Sequence, residues 1–373
     1  MELIFANLFN LELQHVVMWL IGGILIYLAI KKDMEPTLLL PIGFGAILVN
    51  LPFSGAVTQV IDGVTEVGVL DVLFNAGIAN ELFPLLLFIG IGAMIDFTPL
   101  LTNPKMLFFG AAAQFGIFFT FSLAALLGFD IKDAASIGII GAADGPTSIF
   151  VANYFNSKYL GAIIVAAYSY MALVPIIQPF VIRRITTREE RLIRMENVKN
   201  TVPRIVKILF PIFITIIAGI MAPRSVALIG FLMFGNLIRE CGVLNILSET
   251  AQKELPNLIT ILLGITVATK MQAEYFLTRE TFMILGLGLI AFVFDTVGGV
   301  LLGKFINLFA KNKVNPMVGA CGISAFPMSA RVIHKMGLEE DPHNFLLMHA
   351  VGANVAGQIA SVIAGGLIMN LVA

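Results

Sequence analysis

Apolar residues run through this chain in long stretches broken by short polar or Gly/Pro-rich interruptions, and a membrane's hydrocarbon core calls for about 20 helical residues per crossing. On this pattern full spans are expected near 16–31, 36–52, 82–98, 105–128, 159–182, 205–222, 224–240, 256–270, 281–310 and 344–372. Two further segments, 134–156 and 315–336, are rich in Gly, Pro, Ala and Ser with a proline in the middle, and read as helix-break-helix hairpins. The expected fold class is an all-α polytopic membrane protein with about ten spanning helices and two re-entrant broken-helix hairpins. The first apolar stretch, Val16 to Ile30, follows Glu2 and Glu12 rather than a basic leader, so it reads as the first span and not as a signal peptide.

Charge orients the pattern. Residues 54–81 carry Asp62, Glu66, Asp71 and Glu81 but no Lys or Arg. The stretch from Arg183 to Lys207 carries Arg183, Arg184, Arg188, Arg191, Arg194, Lys199, Arg204 and Lys207. By the positive-inside rule the first loop is external and the second cytoplasmic, and Lys31 and Lys32 put the end of the first span inside and the N-terminus outside. These assignments agree only if 134–156 dips into the membrane and returns. The same logic brings 256–270 in from the cytoplasm and returns Lys311 and Lys313 to that side, so the second hairpin enters from the opposite face.

An internal repeat accompanies the two hairpins. Gly138, Gly141, Pro146 and Ser148 align with Gly319, Gly322, Pro327 and Ser329 at one constant offset, and upstream Gly90 and Asp96 align with Gly264 and Lys270 at a slightly shorter one. With opposite entry sides this is an inverted repeat, an arrangement whose halves commonly move against one another for alternating access. The expected organisation is a two-span N-terminal region with an external loop over 1–81, a first repeat over 82–182, a basic cytoplasmic loop with linking spans over 183–254, and a second repeat over 255–373.

Composition removes the other classes. Hydrophobic residues make up 58% and charged residues 13%, with a mean hydropathy of +0.94, too apolar for a soluble surface. The net charge of −1 and the lack of a basic stripe argue against a nucleic-acid partner. Cys241 and Cys321 stand far apart in apolar surroundings, and His15, His334, His343 and His349 form no ligand cluster at helical spacing, so neither a disulfide framework nor a structural metal is expected.

The chemistry concentrates at Asp144. It lies in Gly138-Ile-Ile-Gly-Ala-Ala-Asp-Gly-Pro-Thr-Ser-Ile-Phe150, beside a helix-breaking Gly-Pro pair, and a charge at membrane depth costs about 2.5–3.5 kcal/mol on insertion scales. Such a carboxylate calls for an ion, a partner or water, and the carbonyls freed by the break are cation ligands in kind. The bland alternative is an N-cap on the second half-helix. Asp295 is another buried acid with no assigned partner. Asp96 and Lys270, at matching repeat positions, suggest an ion pair or support for the site. Ala268-Thr269-Lys270-Met271 faintly matches a biotin-attachment loop, but it lies in an apolar span with no carrier domain around it.

Three runs carry a family resemblance: Gly-Ala-Ala-Asp-Gly-Pro-Thr at 141–147, Asn-Pro-Met-Val-Gly-Ala-Cys-Gly-Ile-Ser-Ala-Phe-Pro-Met-Ser-Ala-Arg-Val at 315–332, and Gly-Ala-Asn-Val-Ala-Gly-Gln-Ile at 352–359. Over nearly the whole chain the sequence resembles the membrane β subunit of biotin-dependent sodium-pumping decarboxylases, whose members act on oxaloacetate, methylmalonyl-CoA or glutaconyl-CoA. The short N-terminal region looks more like the acyl-CoA members. The resemblance implies a sodium-translocating decarboxylase subunit in a bacterial inner membrane. It implies transported sodium, carboxybiotin brought by a partner rather than held covalently, and carboxyltransferase, biotin-carrier and small membrane-anchor subunits as partners, with homo-oligomers possible. By the same resemblance, Asp144 is a sodium ligand and proton acceptor, Tyr170 and Asn354 neighbour the ion path, Asn315 and Gly319 supply the second hairpin's side of the ion site, and Ser324 and Arg331 serve the carboxybiotin end. Bland roles stay open: packing for Tyr170, interfacial snorkelling for Arg331, helix-helix contact for Asn354. The alternative function is a stand-alone sodium-coupled carrier of a small carboxylate.

Overall fold

The computed structural model describes residues 10–32, 34–61, 63–196 and 201–372; Glu2, Asp62 and Lys199, used above to orient the chain, lie outside the described residues. About 78% of the protein is helical. Lipid enforces this, because a backbone amide at membrane depth has only other backbone to bond.

The N-terminal part comprises α1 (Leu13–Lys32), α2 (Pro36–Val49), a two-stranded antiparallel hairpin of β1 (Gln59–Ile61) and β2 (Val64–Glu66), α3 (Val69–Gly77) and α4 (Leu82–Met94). Then follow α5 (Thr98–Thr102), α6 (Met106–Ala113), α7 (Phe115–Leu126), α8 (Ile131–Gly138), α9 (Gly145–Tyr154), α10 (Leu160–Ile185) and α11 (Arg188–Arg191). The remainder is α12 (Arg204–Met221), α13 (Val226–Cys241), α14 (Asn245–Gln252), α15 (Glu254–Val267), α16 (Ala273–Phe276), α17 (Arg279–Phe309), α18 (Met328–Glu340) and α19 (Leu347–Val372).

A helix stands at each expected span, but among the described residues 7 are long and apolar enough to cross a membrane, or up to 8 if the pair α3 and α4, bent by 59°, is one span. The shortfall has local causes. α2 has 14 residues and ends at Asn50, whose side-chain amide donates to Ala46 O at 2.7 Å and to Met271 O at 2.8 Å, pinning the chain to the 3-10 turn Ala268–Met271. The expected span at 105–128 is divided into α6 and α7 at Gln114. The acidic stretch after α2 is a built element rather than a plain loop, with Asp71 Oδ2 accepting from the Thr58 amide at 2.6 Å.

Depth in the bundle follows sequence. α10 and α19, rich in Gly, Ala and small polar residues, are largely buried, whereas α1 and α12 present large apolar side chains such as Leu20, Ile24, Phe213 and Ile220 outward. The interior helices enclose the two broken segments. Every residue from Asp133 to Ala152 is buried, and so is every residue from Asn315 to Ala325. Irregular backbone is tolerated at membrane depth only where protein surrounds it.

One end of the bundle is tied by charge. Arg183 pairs with Glu339 at 2.9 Å, Arg191 with Glu340 at 2.6 Å, Arg194 with Asp341 at 2.6 Å and Lys304 with Glu190 at 3.1 Å. The basic segment after α10 is thereby clamped to the end of α18. The Arg194 guanidinium and the His343 amide hold the Asp341 carboxyl below the usual carboxylate range.

Candidate functional site

The first break follows from its residues. After α8 the chain tightens into a 3-10 turn, Ile139–Ala142, then Ala143 takes a left-handed conformation (φ 51°) and Asp144 an extended one (φ −134°), before α9 restarts with Pro146 in its first turn. A proline there is pre-set for a helix start and needs no amide partner. Asp144 thus occupies the N-cap position, but its side chain makes no capping bond to the helix amides. Its Oδ2 instead accepts from Thr147 Oγ1 at 2.6 Å, and its main-chain oxygen accepts from Ser148 Oγ at 2.9 Å. Asp144 thus faces the first turn of α9, where the hydroxyl of Thr147 is its close partner and the Thr147 amide also points toward it.

In the second break the 3-10 turn Pro316–Gly322 opens into extended Ile323 before α18. Its released carbonyls are taken up by side-chain amides from three separate helices. Gln178 Nε2 on α10 donates to Ala320 O at 2.8 Å, Gln114 Nε2 beside α7 donates to Gly322 O at 3.2 Å, and Asn354 Nδ2 on α19 donates to Cys321 O at 3.2 Å and Ile323 O at 2.6 Å. Gln358 Nε2 donates to Ser324 O, and the single hydroxyl proton of Ser324 Oγ is shared between Gly357 O, at 3.1 Å, and Ser361 Oγ. Each buried carbonyl needs such a partner, because an unmade bond there costs about 1–3 kcal/mol.

The two breaks touch. The Ser324 amide donates to Ala142 O at 3.0 Å, joining the second hairpin to the first two residues before Asp144. Around this junction several buried oxygens have no hydrogen-bond partner: Gln114 Oε1, Asn354 Oδ1, Gln358 Oε1 and the Tyr168 hydroxyl. Amide and hydroxyl oxygens beside a carboxylate are the ligand type a hard monovalent cation takes.

Asp144, Ser324 and Asn354 are therefore brought to one junction, while the other expected residues lie around it. Gly319 is the point where the second hairpin crosses α17, backbone to backbone against Gly299, too close for a side chain on either. Asn315 caps the start of the 3-10 turn, accepting from the Met317 amide at 3.1 Å and donating to Arg191 O at 2.8 Å and Ile193 O at 2.9 Å, so it fastens the hairpin to the basic segment. Arg331, in the first turn of α18, is exposed, and its guanidinium has no hydrogen bond or ion pair among the described residues. Tyr170 directs its hydroxyl to Leu285 O on α17 and packs its ring on Gly288. Asp96 and Lys270 do not pair: Asp96 accepts from the Thr98 amide at 2.9 Å, and the Lys270 ammonium sits 4.4 Å from the centre of the Phe74 ring.

Sequence reasoning missed Gln114, Gln178, Gln358, Ser361 and Tyr168. Tyr168 is fully buried, with its ring against Gly145, the residue after Asp144. A signal was available, since residues two apart on a helix point to nearly opposite sides and only one of Tyr168 and Tyr170 can face the break. The polar amides carried no such signal, because their partners lie in other helices.

A cavity of about 790 Å³ opens at the basic end, lined by Lys105, Arg194, Lys311, Lys313, Glu196 and His349 among others. Neither break contributes to its walls. It gathers Lys311 and Lys313 with the basic segment on one face.

Compared with known proteins, the profile of the family described as "Na+-transporting oxaloacetate decarboxylase beta subunit" matches residues 14–372. The chain belongs to that family. Among curated members of this β-subunit family, it is 48% identical over 384 residues to methylmalonyl-CoA decarboxylase subunit beta of Propionigenium modestum, covering 98% of this chain and 97% of the relative. It is 50% identical over 356 residues to glutaconyl-CoA decarboxylase subunit beta of Acidaminococcus fermentans, covering 95% and 92%. The probable oxaloacetate decarboxylase beta chain of Vibrio cholerae is 44% identical over 421 residues, covering 98% and 97%. The match to sodium-transporting decarboxylase β subunits spans nearly all of this chain, and its apolar helices make it a multi-pass membrane protein.

Proposed function

We propose that this protein is the membrane subunit of a primary sodium pump, decarboxylating carboxybiotin presented by a partner subunit and coupling that step to outward sodium movement. The observation that carries the reading is the bond between Ser324 N–H and Ala142 O, which joins two buried helix breaks beside Asp144. In the finer reading about ten segments cross the bilayer, the two hairpins are re-entrant, and the halves 82–182 and 255–373 form an inverted repeat whose relative motion opens the junction to either side. The four domains follow those boundaries, in the inner membrane of a bacterium.

Asp144 is the anionic sodium ligand, with Asn354 Oδ1 as a second oxygen. Asn315 and Gly319 hold the second hairpin's carbonyls in position for the same ion. Decarboxylation breaks the C–N bond of carboxybiotin, releases carbon dioxide, leaves the electron pair on nitrogen and consumes one proton there. Arg331, unpaired one helical turn from the second break, suits the carboxylate through its planar fork of donors. Ser324 and Tyr170 lie on the proton side of the coupling, and Tyr168 is added to them. Each sodium ion moved against 100 mV costs about 2.3 kcal/mol. Partners in this reading are a carboxyltransferase, a biotin carrier and a small membrane anchor. An acyl-CoA is favoured as the ultimate substrate, because the methylmalonyl-CoA and glutaconyl-CoA relatives are 48% and 50% identical over 384 and 356 positions, against 44% over a longer, more gapped 421 for the oxaloacetate-type relative.

Proteoliposomes test this. The subunit alone, given a free carboxylic or acyl-CoA substrate, should not accumulate sodium; adding carboxyltransferase and biotin carrier should restore uptake, and avidin should stop it. Substrate-driven, avidin-insensitive flux from the lone subunit would instead establish the stand-alone sodium-coupled carrier.

A further inference from the structure

The cavity at the basic end lies at the level where the phosphates of a bilayer stand. Three apolar spans begin or end at its wall: Met106 opens α6, Met348 lies in the first turn of α19, and Lys311 follows closely on the end of α17 at Phe309. α6 and α19 run parallel with these ends together, since Gly352 meets Met106 while Gly110 meets Ala356. By the positive-inside rule the clustered Lys and Arg put this end on the cytoplasmic side, whose leaflet carries the acidic lipids. At 1.5 Å per helical residue, Met106 stands about 12 Å along the chain from Gln114 at the junction of the two breaks, so the cavity is a separate place.

Its charge is left over from the clamp that ties this end of the bundle. Lys105, Lys311 and Lys313 line the cavity, are exposed, and form no ion pair among the described residues. Arg194 in the same wall is already held by Asp341 at 2.6 Å, and Glu196 is the one acid among the lining residues. His349 Nε2, in the wall as well, is buried without a hydrogen-bond partner. At about 790 Å³ the cavity has the size of a site for a small organic molecule, and a bare inorganic anion would leave most of it empty. Apolar surface continues from it. Leu301, Phe305 and Phe309 fall on one exposed face of α17 that leads up to Lys311, and exposed Phe108 stands just past Lys105 on α6. A cationic recess continuous with an outward apolar stripe matches a molecule with a phosphate head and acyl tails.

We infer that this cavity binds an acidic phospholipid of the cytoplasmic leaflet, with its phosphate held by Lys105, Lys311 and Lys313 and its acyl chains laid along Leu301, Phe305 and Phe309. A carboxylated cofactor held here would stand away from Asp144 and Ser324, whereas a lipid needs no route to them. The site is independent of the sodium and carboxybiotin readings, and its failure would leave both standing.

Retention of radioactive phosphatidylglycerol by the purified full chain, followed by gel filtration in a neutral detergent with phosphatidylcholine as the control, tests it. Phosphatidylglycerol should be retained well above phosphatidylcholine. Lys105→Gln, Lys311→Gln and Lys313→Gln should each weaken its retention about fivefold, the effect of one lysine beside an anionic headgroup, and the triple variant roughly a hundredfold. Lys253→Gln, at an exposed lysine outside the cavity wall, should change nothing. The three lysines have no ion pair to lose, so the variants keep the fold and stay informative. Equal retention of the two lipids, or a triple variant that holds phosphatidylglycerol as strongly as the wild type, overturns the site. Displacement of the lipid by soluble glycerophosphate at equal concentration would overturn the lipid assignment in favour of a water-soluble phosphate ester. A triple variant that loses binding of the biotin carrier while its lipid retention is unchanged would make the cavity a protein dock instead.

Discussion

Replacing Asp144 by Asn changes charge while keeping shape, and the structure fixes what should follow. The amide oxygen of Asn can still accept from Thr147 Oγ1, now 2.6 Å from Oδ2. A hydrogen bond to a charged group contributes about 1.5–3 kcal/mol and one to a neutral group about 0.5–1.5 kcal/mol, so folding loses about 1 kcal/mol. Sodium loses far more. A unit charge about 4 Å away at an effective dielectric near 20 is worth about 4 kcal/mol, or about three decades in affinity. Decarboxylation by the purified complex should be followed against sodium concentration, with choline chloride as filler and the thermal midpoint measured alongside. The half-saturating sodium concentration should rise by at least about a hundredfold while the midpoint falls only a few degrees. A shift below tenfold would refute the ligand role. A large midpoint loss with unchanged sodium dependence would instead favour a helix cap. Asp144→Glu should retain partial function if the carboxylate matters more than the shape.

Tyr168→Phe removes an unpartnered hydroxyl and should leave the thermal midpoint unchanged or higher, whereas Tyr170→Phe loses the bond to Leu285 O and should cost about 1 kcal/mol. Equal destabilisation would show that the two hydroxyls are equally bonded. Gln178→Leu should cost about 2 kcal/mol in denaturant titration, because Ala320 O and Ser329 Oγ both lose the Gln178 side chain as partner. Arg331→Lys should reduce decarboxylation about tenfold while sodium binding to the isolated subunit stays unchanged, since Lys keeps the charge but not the fork; equal loss of both would assign Arg331 to the fold. With the Asp341 carboxyl held below its ordinary value of about 3.9, its link to Arg194 is fully present above that pH and weakens as pH falls through the depressed value. Hydrogen exchange across 188–196, corrected for intrinsic rates, should accelerate there and in Asp341→Asn at neutral pH, and should be flat in wild type between about pH 6 and 8.

Length and polarity of the apolar stretches were enough to announce a helical membrane protein, because lipid permits few other backbone solutions. They were also enough to locate the breaks. Gly145-Pro146 and Phe326-Pro327 cannot continue a helix ladder, so 134–156 and 315–336 were legible as interrupted segments, and Asp144 stood out as an acid beside one of them. Spanning length was less legible. α2 stops at Asn50 because Met271 and Ala273, far away in the chain, bind its side chain. The site itself was half legible. Asp144, Ser324 and Asn354 belong to recognisable motifs, yet what brings them together is one backbone bond from Ser324 to Ala142. Gln114 and Gln178 carry no local signal, and Gln358 stands in the 352–359 run without a role that the run itself reveals, since the carbonyls they satisfy are distant in sequence. The same limit applied to Tyr168 and Tyr170, and to Asp295, whose neighbours are the Gly116 and Ile117 amides: residue type reveals that a buried polar group needs a partner, and only packing decides which one it meets.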